Sequence, residues 1–189
     1  MPNIILETTP AQIGDADQFF EIFKDTDIRN IFHNLRFNSV EEVKQYLKFQ
    51  INDTTTSRLS FFKSIRISFT PNIESYTCHN SILIGFICNH EASSGEFLAS
   101  GGLQQNISFA ISSLYRGKGF MTNALDMTLD AMIQDGFNFV PALVKSWNKS
   151  SIRVLEKCGF DKVRHTQMGL MYAKRLTMDE IEYKKIFNL

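Results

Sequence analysis

The sequence predicts an α/β fold in a single domain, and three observations carry that reading. Residues 106–125, NISFAISSLYRGKGFMTNAL, pass from a short apolar strand through a polar turn into a long helix. Residues 58–88 have the β-branched and aromatic texture of strands, while residues 39–51 and 148–160 carry apolar side chains at helical spacing behind capping residues. With 189 residues and 43% hydrophobic content, the chain can bury one good core and is short for two, so the domain is read as residues 1–189.

Taken in order, residues 3–7 (NIILE) read as a short strand. Thr9, Pro10 and Gln12 form a helix-start signature, with Gly14 and Asp15 permitting a later start, and Phe19, Phe20, Ile22 and Phe23 supply an apolar face. A broken stretch covers residues 25–38. Ser39 and Glu42 then make a capping box for a helix carrying Val40, Val43, Tyr46, Leu47 and Ile51. SFFKSIRISF and SILIGFIC read as a hairpin around the turn-rich TPNIESYTCHNS. Residues 89–106, rich in small and polar side chains, read as a long loop holding His90, Glu91 and Glu96.

A strand at 107–111 enters the polar turn, and the helix after it runs to about Asp135, with Gly136 as its stop. Phe120, Ala124, Met127 and Ala131 share one row of that helix; Thr122, Asn123, Asp126, Asp130 and Gln134 make its wet side. Pro141, inside FNFVPALVK, cannot donate to a ladder and belongs where a strand is unpaired. Asn148 is the N-cap of a helix with Ile152, Leu155 and Cys158 on one face and Gly159 at its end. A strand at 169–175 and a last helix capped by Thr177 with Glu180 complete the chain.

The charges exclude some classes of partner. Twenty basic and 20 acidic residues give a net charge of zero, which predicts neither a nucleic-acid footprint nor a polybasic membrane surface. The balance drifts along the chain: 6 basic and 9 acidic residues in 1–60 (net −3), 2 and 3 in 61–114 (net −1), and 12 and 8 in 115–189 (net +4). A positive C-terminal part suits a phosphorylated cofactor and a negative N-terminal part suits an amine. No apolar run approaches the roughly 20 residues of a membrane span, and MPNIILETTP lacks the regions of a signal peptide. Three irregularly spaced cysteines, Cys78, Cys88 and Cys158, suit a reducing compartment. The expected location is cytoplasmic. Cys78, His79, Cys88 and His90 match no zinc spacing, so no metal is expected. The 17 phenylalanines are read as core packing, with an apolar acceptor pocket as the alternative.

The chemistry centres on the turn. A glycine-rich turn that opens a helix brings free backbone N–H groups and the positive end of the helix dipole to one spot, which is an anion site. Spacing decides among the nucleotide-binding turns. A dinucleotide fingerprint from Gly117 needs glycine at 122 and finds Thr122; a phosphate loop using Gly117 and Lys118 needs glycine at 112 and finds Ser112. What remains, Arg116, Gly119 and Met121 within RGKGFMTNAL, resembles the pyrophosphate turn of the GNAT superfamily of N-acetyltransferases, in the form carried by its ribosomal-protein N-terminal (alanine) acetyltransferase branch. A second stretch, NKSSIRVLEKCGF from Asn148, resembles that branch's other cofactor motif and follows Gly119 by 29 residues.

The resemblance implies a mixed, mostly antiparallel sheet of about seven strands, with helices on both faces and splayed central strands. It implies acetyl-CoA as cosubstrate with no metal, and transfer to a primary amine by direct attack in a ternary complex, in a monomer or homodimer. Backbone groups of Phe109, Ala110 and Ile111 would polarise the thioester; Arg116, Gly117, Lys118, Gly119, Phe120, Met121 and Thr122 would hold the pyrophosphate; Asn148 would contact the cofactor arm. The tyrosine that many members use to protonate the leaving thiolate falls here on Leu155, and the branch's serine on Ser151, which is taken as the acid. The branch's strand carboxylate falls on Asn106, so the base is sought on the preceding segment, at Glu91, with His90 and Glu96 beside it. An α-amine near pKa 8 is about 10% neutral at pH 7 and a lysine near 10.4 below about 0.1%, so a missing carboxylate favours an N-terminal α-amine as acceptor. A small amine such as a polyamine or aminoglycoside is the alternative substrate, and a non-catalytic acyl-CoA-binding regulator the alternative class.

Overall fold

Seven strands form two sheets in the computed structural model, which describes residues 3–56, 60–70, 81–91 and 105–187. The first sheet has the order β1-β2-β3-β4: β1 (Asn3–Pro10), β2 (Phe61–Thr70), β3 (Ile82–Glu91) and β4 (Gln105–Ile111). The second has the order β5-β7-β6: β5 (Phe139–Val144), β6 (Asp161–Thr166) and β7 (Gly169–Arg175). Among the described residues six helices join them: α1 (Ala16–Phe23), α2 (Thr26–Ile31), α3 (Val40–Thr56), α4 (Phe120–Gln134), α5 (Lys149–Lys157) and α6 (Glu180–Phe187). This is the mixed, mostly antiparallel seven-stranded α/β fold that the sequence predicts. The chain packs as two interleaved units, Met1–Cys88 with Phe109–Ala124, and Asn89–Ser108 with Leu125–Leu189. No described helix is long and apolar enough to cross a membrane.

The first unit differs from expectation at its start. β1 continues through Thr9 and Pro10, because its whole length pairs antiparallel with β2, from Asn3↔Thr70 to Pro10↔Lys63. Pro10 is tolerated because β1 is the sheet's edge. The cap therefore moves on: Gln12 N donates to Asp15 Oδ2 at 3.1 Å, and α1 begins at Ala16. The stretch read as broken holds α2, whose cap is Asp25. At α3 the Ser39 half of the box forms, with Ser39 Oγ accepting from Glu42 N at 3.2 Å, while Glu42 Oε2 accepts from Asn38 N at 2.8 Å, one residue before the cap.

Phenylalanine fills this unit's core. Phe19, Phe23, Phe62 and Phe86 are buried together with Leu47 and Ala110, and Phe20, Phe32 and Phe37 pack against them. Phe62 stacks on Phe86 with ring centres 5.4 Å apart. Burying one such ring contributes about 1.5–3 kcal/mol, so the aromatic cluster holds α1, α2 and α3 on the sheet.

In the second unit, Gly136 (φ 85°) ends α4 and Gly159 (φ 74°) ends α5, as read. Pro141 lies in β5, an edge of its sheet. β6 was absent from the sequence reading: DKVRHT is polar and largely exposed, and only its pairing with β7 makes it a strand. The cap of α6 is also different. Asp179 Oδ1 accepts from the amides of Ile181 (2.9 Å) and Glu182 (3.2 Å), while Thr177 Oγ1 donates to Phe137 O at 3.2 Å. Tyr183 and Phe187 then pack with Ala173, Met178 and Phe139.

The segment read as one loop is shorter than expected, because β3 extends through His90 and Glu91 and β4 starts at Gln105. Glu96, Cys78 and His79 lie outside the described residues. Among the described residues, no group of three or more His, Cys, Asp or Glu side chains could hold a metal ion.

Gly85 on β3 is fixed by space. A Cβ there would overlap the carbonyl oxygen of Ala110 on β4. Gly85→Ala should cost about 3 kcal/mol through overpacking and lower the melting midpoint by roughly 6–12 °C; a shift below about 2 °C would show that β4 can move aside.

Candidate active site

The turn between β4 and α4 is built from conformations that only glycine adopts freely. Gly117 (φ 75°) and Gly119 (φ 81°) are left-handed, and a Cβ on either would meet nothing within 4 Å, so the ground in front of both is open. Asn123 N donates to Gly119 O at 3.1 Å, the first helical bond of α4. The geometry of a helix start leaves the amides of Phe120 and Met121 without intrahelical acceptors. Open ground at a helix N-terminus, whose first amides have no intrahelical acceptor, is the arrangement an anion cradle needs.

The side chains flanking the cradle behave differently from one another. Lys118 is exposed, with Nζ 3.5 Å from Leu114 O and 5.7 Å from the centre of the Tyr115 ring. Arg116 is half-buried, and its guanidinium is engaged by the protein itself. Its Nη1 pairs with Asp27 Oδ2, its Nη2 lies 3.3 Å from both oxygens of Asp25, and its Nε donates to Ile111 O at 3.1 Å. Asp25 is the hub of this arrangement: it also accepts from Ser113 N (2.9 Å) and caps α2 through the amides of Asp27 (3.0 Å) and Ile28 (3.4 Å). Burial pushes the Asp25 carboxyl up. The Ser113 amide and hydroxyl, the Arg116 guanidinium and the Ile28 amide outweigh it and hold the pKa below the ordinary 3.8. Asp25 is the residue that sequence reasoning missed. A lone aspartate before a six-residue helix is legible as a cap, but its bonds to residues 113 and 116 are not.

β4 enters the turn as the edge of its sheet, so among the described residues one row of its backbone groups has no ladder partner there. That row belongs to the strand carrying Phe109, Ala110 and Ile111. Ser112 N donates to Ile84 O at 2.8 Å and pins the strand's end. Nearer its start, Asn106 is 1% exposed and neither side-chain amide atom has a hydrogen-bond partner. Ser108 Oγ lies 2.9 Å from His90 Nε2 on β3, and Glu91 closes that strand.

In the second unit, Asn148 is buried and its Oδ1 accepts from Ser151 N (3.2 Å) and Ser150 Oγ (2.9 Å). The hydroxyl that completes this cap is therefore that of Ser150, and the Ser151 hydroxyl takes no part in it. Leu155 is buried, consistent with its apolar helix position. The buried Cys158 thiol is pushed up to about 12, by burial first and then by Asp126, which makes it no nucleophile at neutral pH.

The family whose description is "Acetyltransferase (GNAT) domain" matches residues 5–161, and the chain belongs to it. It is an N-acetyltransferase by that membership. Among solved structures, a ribosomal-protein-S5-alanine acetyltransferase from Vibrio fischeri is 19% identical, with 90% of this chain and 92% of that one covered at a TM-score of 0.61. A ribosomal L7/L12 α-N-protein acetyltransferase with coenzyme A is 14% identical, covering 92% and 96% at 0.63. A microcin C7 self-immunity acetyltransferase with acetyl-CoA and AMP is 12% identical, covering 90% and 92% at 0.61. These likenesses concern the fold. No curated protein matches the chain in sequence.

The Asp25 hub yields a contrast. Asp25→Ala removes a half-buried carboxylate with several partners and should cost about 2–3 kcal/mol in urea unfolding, whereas Asp27→Ala, at a side chain 65% exposed, should cost less than about 1 kcal/mol. Because the folded pKa of Asp25 is depressed, its stabilisation is full above the ordinary carboxylate value and is lost as pH falls through the lower, folded one. The gap between wild type and Asp25→Ala should therefore close only below about pH 4.

Proposed function

We propose that the protein is a cytoplasmic enzyme that transfers an acetyl group from acetyl-CoA to a primary amine, by direct attack in a ternary complex, with a protein or peptide N-terminal α-amine as its acceptor. The observation that carries the donor assignment is the turn at Gly117 and Gly119, with open ground before two left-handed glycines, at a helix start whose first amides have no intrahelical acceptor. The pyrophosphate would be held by amides of residues 117–122, with Lys118 adding charge. Arg116 would serve chiefly by fixing the turn, since its guanidinium engages Asp25 and Asp27. The whole chain is taken as one catalytic domain, in a monomer or homodimer; the family match, residues 5–161, runs through both units.

The remaining roles follow the chemistry. When bound, acetyl-CoA supplies the thioester carbonyl. Edge-strand amides among Phe109, Ala110 and Ile111 would stabilise the oxyanion, Asn148 would hold the cofactor arm through Nδ2, and Ser151, whose hydroxyl is outside the cap, would protonate the thiolate. The base is placed at the end of β3, where the sequence points to Glu91 beside His90. An α-amine acceptor is supported by Asn106, an uncharged amide where the resembling branch has a carboxylate, and by two structural neighbours that are N-terminal protein acetyltransferases. A small-amine acceptor, such as a polyamine or aminoglycoside, is the second reading; one structural neighbour, the microcin C7 self-immunity acetyltransferase, is not named for a protein acceptor.

The test is coenzyme A release from acetyl-CoA across short peptides differing in their first residue, lysine-only peptides and small amines. Turnover is expected fastest on free N-termini; faster turnover on lysine peptides or small amines would overturn the acceptor assignment. Acetyl-CoA at about 100 times its dissociation constant should stabilise by about 2.7 kcal/mol and raise the melting midpoint by roughly 5–10 °C. Ser151→Ala should lower kcat by about 10²–10⁴-fold and leave that shift intact.

A further inference from the structure

The proposed transfer requires the acceptor ammonium to lose a proton before its nitrogen can attack. β4 has no carboxylate to take it: its polar residues are Gln105, Asn106 and Ser108. Asn106 is buried with neither amide atom paired, and an amide is no base. Ser108 is placed differently. Its Oγ lies 2.9 Å from His90 Nε2, and it directly precedes Phe109, the first of the three residues whose backbone would meet the thioester.

Alternation along β4 sets Asn106, Ser108 and Ala110 on one face, and along β3 sets Phe86, Cys88 and His90 on one face. Phe86, Cys88 and Ala110 share a core cluster, so the two faces are the same side of the sheet. His90 and Ser108 continue it beyond the apolar side chains. A hydrogen-bonded serine–histidine pair, next to a buried amide with idle donor and acceptor, is poor material for packing alone, since buried polar groups are normally all paired.

We propose that Ser108 and His90 carry the proton off the acceptor amine. The ammonium gives a proton to Ser108 Oγ as the serine's own proton passes along the 2.9 Å bond to His90 Nε2. The amine is left neutral with its lone pair directed at the thioester carbon, the imidazole becomes imidazolium, and the serine ends unchanged. Histidine suits the task because its imidazole exchanges a proton near neutral pH. The inference rests on the acetyl-transfer reading, and it moves the base from Glu91 to its neighbour.

The experiment compares kcat/KM for His90→Gln, Ser108→Ala, the double variant and Ser108→Thr on a peptide with an ordinary α-amine and on the same peptide with a hydrazide nitrogen, which is already neutral at pH 7. Both single variants and the double should lose about 10²–10³-fold on the amine and less than about threefold on the hydrazide. Ser108→Thr, which keeps the hydroxyl, should retain most activity on both acceptors. The acetyl-CoA melting shift should persist in every variant, which separates misfolding from lost proton transfer. Equal losses on the two acceptors, or losses below about threefold on the amine, would overturn the relay while wild-type turnover left acetyl transfer standing. No wild-type turnover on any amine would overturn both.

Discussion

The glycine turn between β4 and α4 stands on a half-buried carboxylate. Asp25 binds the Ser113 amide before the turn, the Arg116 guanidinium within it, and the amides that open α2. A glycine-rich turn has much conformational entropy to lose and few side chains with which to hold itself, so its shape must be imposed from outside. Asp25 imposes it from a helix that the aromatic cluster fixes on the sheet. Arg116 then has a dual character: its type matches a pyrophosphate motif, while its bonds are those of a brace.

The second constraint is the edge position of β4. A strand in the middle of a sheet has both rows of backbone groups paired; at an edge, one row is available for chemistry. Gly85 lets the Ala110 carbonyl approach β3 more closely than any side chain would permit, and the Ser112 amide fastens the strand's end to Ile84 O. An acyl-transfer site can use such a strand because polarising a carbonyl needs donors held in place before the reaction begins.

Local rules succeeded where one residue suffices. Ser39 with Glu42, Asn148, Gly136 and Gly159 were legible as caps and stops because their hydrogen bonds and φ angles involve neighbours within a turn. They failed where a distant strand or helix decides. Thr9 and Pro10 look like a helix start but lie in a ladder with β2; DKVRHT has no apolar pattern and becomes β6 through β7; Asp179 outcompetes Thr177 for the cap of α6. His90 and Glu91 read as loop residues because their surroundings in sequence are small and polar, yet they complete β3.

By itself the sequence determined the fold class, the family resemblance, the glycine turn at Gly117 and Gly119 that opens α4, and the helix opened by Asn148. Each is written in contiguous residues whose spacing sets local backbone geometry. Tertiary structure alone decided that Arg116 is bound to Asp25 and Asp27, that Asn106 is buried without partners, that Ser108 meets His90, and that the Ser150 hydroxyl, not that of Ser151, fills a cap. The pairings with Asp25 and Asp27 join residues about 90 positions apart, and the bond from Ser108 to His90 spans 18. Strand register and helix placement create such pairings, and those depend on burial summed over the whole chain rather than on any one stretch of it.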